Sequence, residues 1–162
     1  MLVFLANRTP LPAAQDPDGT LTTMKRAQDL ALVSEAWAVN DGINQVVKHD
    51  VARLRPDGSD NLSFYSGHTS DAFAMVMALY TTHRLRHDQD AHHVLLVGLP
   101  FAAMTGYLRI AADKHYASDV LVGAAAGSAV GCFIPALHNT RFASIRPWIT
   151  KQSRGIVIDV RQ

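Results

Sequence analysis

Two clusters of polar residues have side chains of the types that could carry out chemistry. Lys48 and Arg55 are seven positions apart, close to two helical turns, so a continuous helix would place both cations on one face. Ser66-Gly67-His68 is typical of a helix start, where free backbone N–H groups and the helix dipole can receive an anion. Taken separately, these patterns are more typical of a solvated basic face and an ordinary capped helix.

A third cluster combines Arg109 with His115 and Asp119. The histidine and the aspartate are four positions apart, so a partly helical segment would bring the imidazole and the carboxylate together. A carboxylate that fixes one imidazole nitrogen leaves the other nitrogen free and more basic, as a nucleophile requires. Alone, this cluster would more often be a salt-bridged helix cap.

Together the three clusters contain what phosphoryl transfer through a histidine needs. The cations and the helix amides would neutralise the phosphoryl oxygens, on which the transition state carries its charge. One histidine would attack phosphorus and the other would protonate the departing oxygen.

In order and spacing, the residues from Lys48 to Asp119 resemble the three-part signature of the type 2 phosphatidic acid phosphatase superfamily. That superfamily also includes bacterial non-specific acid phosphatases and vanadium-dependent haloperoxidases. The resemblance implies that His115 is the nucleophile, that Asp119 orients it and that His68 is the general acid. It also implies a phosphate-binding set: Lys48, Arg55, Ser66, Gly67 and Arg109. No metal or other cofactor is expected, because the basic side chains replace the usual divalent ion.

Two positions differ from the common pattern of the family. Tyr65 stands where a proline usually precedes the Ser-Gly-His triplet, and Leu108 stands where a serine usually precedes the arginine. The tyrosine could change the loop geometry or offer its ring to the substrate, and the leucine removes one hydrogen bond to phosphate. Neither position carries chemistry, so we expect reduced or retuned activity at most.

The function predicted from the sequence is metal-independent hydrolysis of a phosphomonoester or diphosphate through a phosphohistidine, with a lipid-linked substrate favoured. The alternatives are a vanadate-dependent haloperoxidase, with vanadate as its cofactor, and a phosphate-binding or lipid-headgroup-binding module without turnover. A net charge of +1 gives no electrostatic case for binding nucleic acid. The sequence does not indicate an oligomeric state.

The elements that must position these residues are predicted from hydrophobic spacing. The pattern favours an all-α fold, a single-domain bundle of five or six helices with a short C-terminal strand. Residues 1–20 are predicted to be an extended arm, 21–140 the helical phosphatase domain and 141–162 a tail. Asn40-Asp41-Gly42 is predicted to break or kink the first helix, and Pro56 to end the second one at Arg55.

The location of the protein is predicted from its apolar segments. The N-terminal apolar stretch is too short for a complete signal peptide, yet the family resemblance favours the periplasm or cell envelope. Residues 120–137 form one borderline membrane span, so a soluble domain with membrane-surface association is favoured. Gly123, Gly127 and Gly131 repeat every four residues in this segment, which would let another helix approach closely.

Overall fold

A computed structural model describes residues 20–89, 91–141, 144–149 and 154–159 of the chain. Helices and strands follow in the order α1 (Thr20–Val51), α2 (Gly67–Leu85), α3 (Ala91–Ala111), α4 (Ala117–Arg141), β1 (Ser144–Ile149) and β2 (Arg154–Asp159). The all-α class of the bundle is confirmed. The number of helices was overestimated, since the described part of the chain has four rather than five or six.

The first difference from prediction lies in α1, which continues through Asn40-Asp41-Gly42 without a break. The side chain of Asn40 donates from Nδ2 to Asp71 Oδ1 at 2.7 Å and accepts from Ser70 Oγ at 2.6 Å. Because this amide is fully used by α2, it does not compete for the backbone hydrogen bonds of its own helix. A tertiary contact therefore overrides the local tendency to break the helix.

The second difference is where α1 ends. It stops at Val51 instead of continuing to Arg55, and Ala52 has a positive φ of 46° while its N–H still bonds to the Lys48 carbonyl at 3.1 Å. Arg55 therefore lies in the loop after the helix, and the prediction that it shares a helical face with Lys48 is wrong. The turn at Ala52, three residues before the position that Pro56 constrains, ends the helix.

The two predicted terminal segments are described only in part. Of the arm predicted over residues 1–20, residues 1–19 lie outside the described residues, and Thr20 is the first residue of α1. In the tail, β1 and β2 pair antiparallel, with Ser144 opposite Asp159 and Ile149 opposite Arg154. The short strand predicted near the C-terminus falls in β2.

The core of the bundle is the contact between α2 and α4, and α2 also packs against α1 and α3. A Cβ atom on Gly127 would lie 2.0 Å from the Ser70 carbonyl oxygen, and one on Gly131 would lie 2.3 Å from that of Ala74. Two backbones therefore touch along this line, as the glycine repeat predicts. The facing residues of α2 are also small, and both Ala74 and Ala78 are fully buried.

Large apolar side chains remain on the outside of the bundle. On α3 they include Leu96 and Phe101, and on α4 they include Leu121 and Phe133. Both helices have the length and the apolar composition of a membrane span, namely Ala91–Ala111 and Ala117–Asn139, whereas the sequence indicated one borderline span. In each, most of the apolar stretch is not buried inside the protein.

We predict that Gly127→Ala destabilises the bundle by about 1–3 kcal/mol, because the new methyl group must push the α2 backbone away. The matched control is Gly42→Ala in α1, where an added Cβ meets nothing within 4 Å. That control should gain about 0.4–1 kcal/mol from reduced unfolded-state entropy. Thermal unfolding followed by circular dichroism measures both variants. Equal stability of the two would contradict the close helix contact.

Candidate active site

Two loops bring the three sequence clusters to one end of the bundle. The 52–66 loop joins α1 to α2, and the 112–116 loop joins α3 to α4. The Asp57 N–H bonds to the Asp113 carbonyl at 3.1 Å, and Lys114 forms an ion pair with the Asp57 carboxylate. The loops thereby hold each other in place.

His115 is the central side chain of this end of the bundle and is only 2% exposed. Its Nδ1 lies 2.7 Å from the backbone carbonyl oxygen of Ser63. A carbonyl oxygen can only accept, so Nδ1 must carry the proton and Nε2 must hold the lone pair. His115 is thus fixed in the tautomer that leaves the lone pair on Nε2.

The surroundings of His115 keep its ring neutral. Burial has the largest effect and lowers the pKa of His115 to about 4, although the hydrogen bond to Ser63 acts in the opposite direction. The nearby charges of Arg55, Arg109 and Lys48 lower this pKa further. Near neutral pH the imidazole is therefore an unprotonated base surrounded by cations.

Asp119 is fully buried but does not hydrogen-bond to His115 directly. Its Oδ2 lies 4.0 Å from His115 Nδ1, whereas the same oxygen accepts from Ser63 Oγ at 2.5 Å and from the Tyr116 N–H at 3.1 Å. The predicted direct orientation of the histidine is replaced by a path through Ser63. That residue bonds to Asp119 through its hydroxyl and to His115 through its carbonyl.

Arg53 is a residue that sequence reasoning missed. Its Nη1 donates to Asp119 Oδ1 at 2.6 Å and to Ser118 Oγ at 3.0 Å, and its guanidinium carbon lies 4.1 Å from the centre of the Tyr116 ring. The carboxylate of Asp119 is thus paired with a cation from the opposite loop. The available signal was the position of Arg53, only two residues before Arg55.

The three predicted phosphate-binding cations come from different elements. Lys48 comes from α1, Arg55 from the 52–66 loop and Arg109 from α3. After burial, their charges lower the pKa of both His68 and His115. Burial and the charge of Arg55 lower the pKa of Lys48. Arg55 is oriented by Asp60, whose Oδ1 accepts from Arg55 Nε at 2.6 Å.

Arg109 has an unfilled hydrogen-bonding position. Its Nε is buried and has no partner among the described residues. A buried donor without an acceptor is costly, and a phosphate oxygen would satisfy it.

The start of α2 also fits an anion. Ser66 is the N-cap residue, but its hydroxyl bonds to Thr69 Oγ1 at 2.9 Å and makes no side-chain cap. The first N–H groups of α2 therefore have no side-chain cap. A Cβ on Gly67 would lie 2.7 Å from Asn44 Oδ1 and 3.3 Å from Lys48 Nζ, so glycine is what permits the side chains of Asn44 and Lys48 to approach this helix start. The predicted bond from Ser66 to phosphate stays a prediction, since its hydroxyl is buried here.

His68 lies in the first turn of α2 and is exposed. Burial of part of the ring lowers its pKa from 6.5, and the charges of Arg109 and Lys48 lower it further. The structure therefore places both histidines among the same cations, one buried and one open to solvent.

Asn44 is a second residue that the sequence did not single out. It is buried one helical turn before Lys48, and its Nδ2 donates to the Tyr65 carbonyl at 3.0 Å. This bond fixes the loop just before Ser66. Tyr65 is 4% exposed, so its ring packs inside the protein, while Leu108 is exposed on α3.

Comparison with known proteins identifies the family to which the chain belongs. A sequence profile of the PAP2 superfamily matches residues 29–143, so the chain belongs to this superfamily. It is 40% identical to the lipid A 1-phosphatase of Porphyromonas gingivalis over 102 residues, which are 62% of this chain and 22% of that protein. It is also 38% identical to phospholipid phosphatase 2 of Rattus norvegicus over 93 residues, 53% of this chain and 33% of that protein.

The matched region is thus a third or less of the length of these relatives. The phospholipid phosphatase 2 of Mus musculus is similar, at 41% identity over 78 residues, 44% of this chain and 28% of that protein. No solved structure matches the chain.

We predict that Arg53→Gln lowers the free energy of unfolding by about 1–3 kcal/mol, because the buried Asp119 carboxylate loses its charged partner. The control is Arg84→Gln on α2, an exposed arginine for which a change within about 0.5 kcal/mol is expected. Urea unfolding of both variants tests this. Equal unfolding midpoints would show that the pair contributes nothing to stability.

Proposed function

We propose that this protein is a phosphatase that acts on a lipid-linked phosphate through a phosphohistidine at His115. The observation that carries the proposal is the hydrogen bond from His115 Nδ1 to Ser63, which leaves Nε2 unprotonated among three cations. Membership of the PAP2 superfamily supports the reaction class. No cofactor is needed, because Lys48, Arg55 and Arg109 supply the positive charge that the phosphoryl oxygens require.

In the first step, the lone pair of His115 Nε2 attacks phosphorus and forms a P–N bond. The bond from phosphorus to the leaving oxygen breaks, and His68 gives its proton to that oxygen. The lysine and the two arginines stabilise the charge on the three equatorial oxygens of the transition state.

In the second step, water attacks the phosphohistidine. The now neutral His68 accepts a proton from this water, the P–N bond breaks, and the electron pair returns to Nε2. Phosphate leaves, His115 is again neutral at Nε2, and His68 is again protonated. Asp119 and Ser63 keep the His115 ring in one orientation during both steps.

The lipid nature of the substrate is proposed from two independent observations. The relatives described above are named as phosphatases of lipid A and of phospholipids. The helices α3 and α4, which position Arg109 and His115, expose apolar faces long enough to contact a bilayer. We therefore place the protein at a membrane of the cell envelope, with the phosphate site at the end of the bundle where the two loops meet.

We predict that His115→Ala reduces phosphate release to background, because the attacking nitrogen is removed. The measurement is phosphate release in excess EDTA from para-nitrophenyl phosphate, a short-chain phosphatidic acid and lipid A in parallel. The control is His49→Ala, an exposed histidine of α1 beside Lys48, which should retain activity. Brief exposure of wild type to ³²P-labelled substrate should label an acid-labile, base-stable phosphohistidine.

Undiminished release by His115→Ala would overturn the covalent mechanism. A soluble phosphomonoester hydrolysed far faster than both lipids would overturn the lipid substrate while leaving the mechanism intact.

We predict an acidic optimum for kcat/KM. His115 must be unprotonated, so activity should rise with pH through about 4, which is its pKa in the free protein. His68 must be protonated, and since its pKa is lowered from 6.5, activity should fall before neutrality is passed. A pH series on wild type and His68→Gln checks this, and the alkaline fall should disappear in the variant. An optimum above pH 8 would contradict the assigned roles.

A further inference from the structure

Asp71 is a charged residue near the site that the mechanism above does not use. It lies in α2, three positions after His68, and is half-buried. Its Oδ1 accepts from Asn40 Nδ2 at 2.7 Å, and Asn40 itself is fully buried and held by Ser70 Oγ at 2.6 Å. The Asp71 carboxylate is therefore held to α1 by the Asn40 side chain, which is itself buried and hydrogen-bonded.

The helix geometry places this carboxylate beside His68. Residues three positions apart in an α-helix are neighbours on one face. The electrostatic effect is mutual, since the charge of Asp71 raises the pKa of His68 and the charge of His68 lowers that of Asp71. Burial raises the pKa of Asp71, while the hydrogen bond from Asn40 favours its ionised form.

The other charges that face His68 come from the elements packed around α2. Arg109 on α3, Lys48 on α1 and Arg55 in the 52–66 loop all oppose a proton on the imidazole. The same three cations are needed for the phosphate, so they cannot be removed without losing binding. A negative charge near this position favours the proton, and the charge of Asp71 acts on His68 in the direction opposite to these cations.

We propose that Asp71 is a positioning residue that keeps His68 protonated for its role as general acid. This inference rests on the proposed function. It adds a specific division of labour: the cations hold the phosphate, while a carboxylate three positions along α2 from His68 favours the proton that the leaving group must receive.

The hydrogen bond from Asn40 allows the electrostatic role of Asp71 to be tested separately from a purely structural role. If Asp71 served only to join α1 and α2, an asparagine at position 71 would suffice, because its amide oxygen can accept the same hydrogen bond from Asn40 Nδ2. Such a variant keeps the shape and the hydrogen bond from Asn40 but removes the charge, and its NH2 group cannot accept the second hydrogen bond, which comes from the Trp37 side chain. The titration midpoint of His68 is therefore the readout, because a purely structural role would not move it.

The experiment is a histidine titration of the full chain with ¹³C-labelled imidazole rings, followed by NMR in wild type and Asp71→Asn. The signal of His68 is assigned from its loss in His68→Gln. We expect the titration midpoint of His68 to fall by about half a pH unit or more in Asp71→Asn. The alkaline limb of kcat/KM should move down with it, while the acidic limb set by His115 should stay in place.

The matched control is Asp41→Asn, which removes an equal charge from α1 near Lys48 and Asp71. It should shift the His68 midpoint by less than Asp71→Asn does. If Asp71→Asn does not fold, Asp71→Ser removes the same charge with a smaller side chain and should give a shift in the same direction.

An unchanged or raised His68 midpoint in the folded variant would overturn the proposal. The titration needs no turnover, so it tests the link between Asp71 and His68 separately from the reaction. A wild-type protein that releases no phosphate would overturn the proposed function alone, and the NMR result would still decide the electrostatic link.

Discussion

The direct contact between the backbones of α2 and α4 is the constraint on which the rest of the structure depends. Gly127 and Gly131 bring α4 against the carbonyl groups of Ser70 and Ala74, with no room for a side chain between them. His68 lies in the first turn of α2, and His115 lies just before α4 begins. Because the two helices are fixed against each other, the two histidines are fixed as well. The core contact does not use the apolar outer surfaces of the bundle, so these surfaces remain available for contacts outside the bundle.

A second constraint is the buried carboxylate of Asp119. A charge removed from water must be paired and hydrogen-bonded, and here the partners come from both loops: Arg53 and Ser63 from one, and the Tyr116 N–H from the other. The hydrogen bonds to this one carboxylate therefore hold the two loops together. The same contacts place the Ser63 carbonyl at hydrogen-bonding distance from His115. The tautomer of His115 is therefore set by the Ser63 backbone carbonyl, and the Asp119 carboxylate acts on the histidine indirectly, through Ser63.

The sequence predicted the features that repeat or that carry several charges, and it did not predict those made by single polar residues. The glycine spacing of α4 correctly indicated a close helix contact, because it is periodic. The three clusters indicated a common site because their residue types share one chemistry, and the structure brings them to one end of the bundle. The bonds from Asn40, Asn44 and Arg53 could not be predicted, since each reaches a partner far along the chain and has no pattern of its own. The same long-range bond from Asn40 explains why α1 continues where local propensity favoured a break.

The α2–α4 contact has a consequence for the entropy of the site. Side chains of glycine, alanine and serine have few or no rotamers, so packing them costs almost no conformational freedom. An interface made of larger side chains would lose that freedom on folding and would retain more ways to rearrange. The helix contact that sets the distance between the two histidines therefore has little internal motion. In a reaction where a misplacement of about 1 Å can cost on the order of 100-fold in rate, this interface of side chains with few or no rotamers would act as a fixed spacer between the two histidines that we propose as nucleophile and acid.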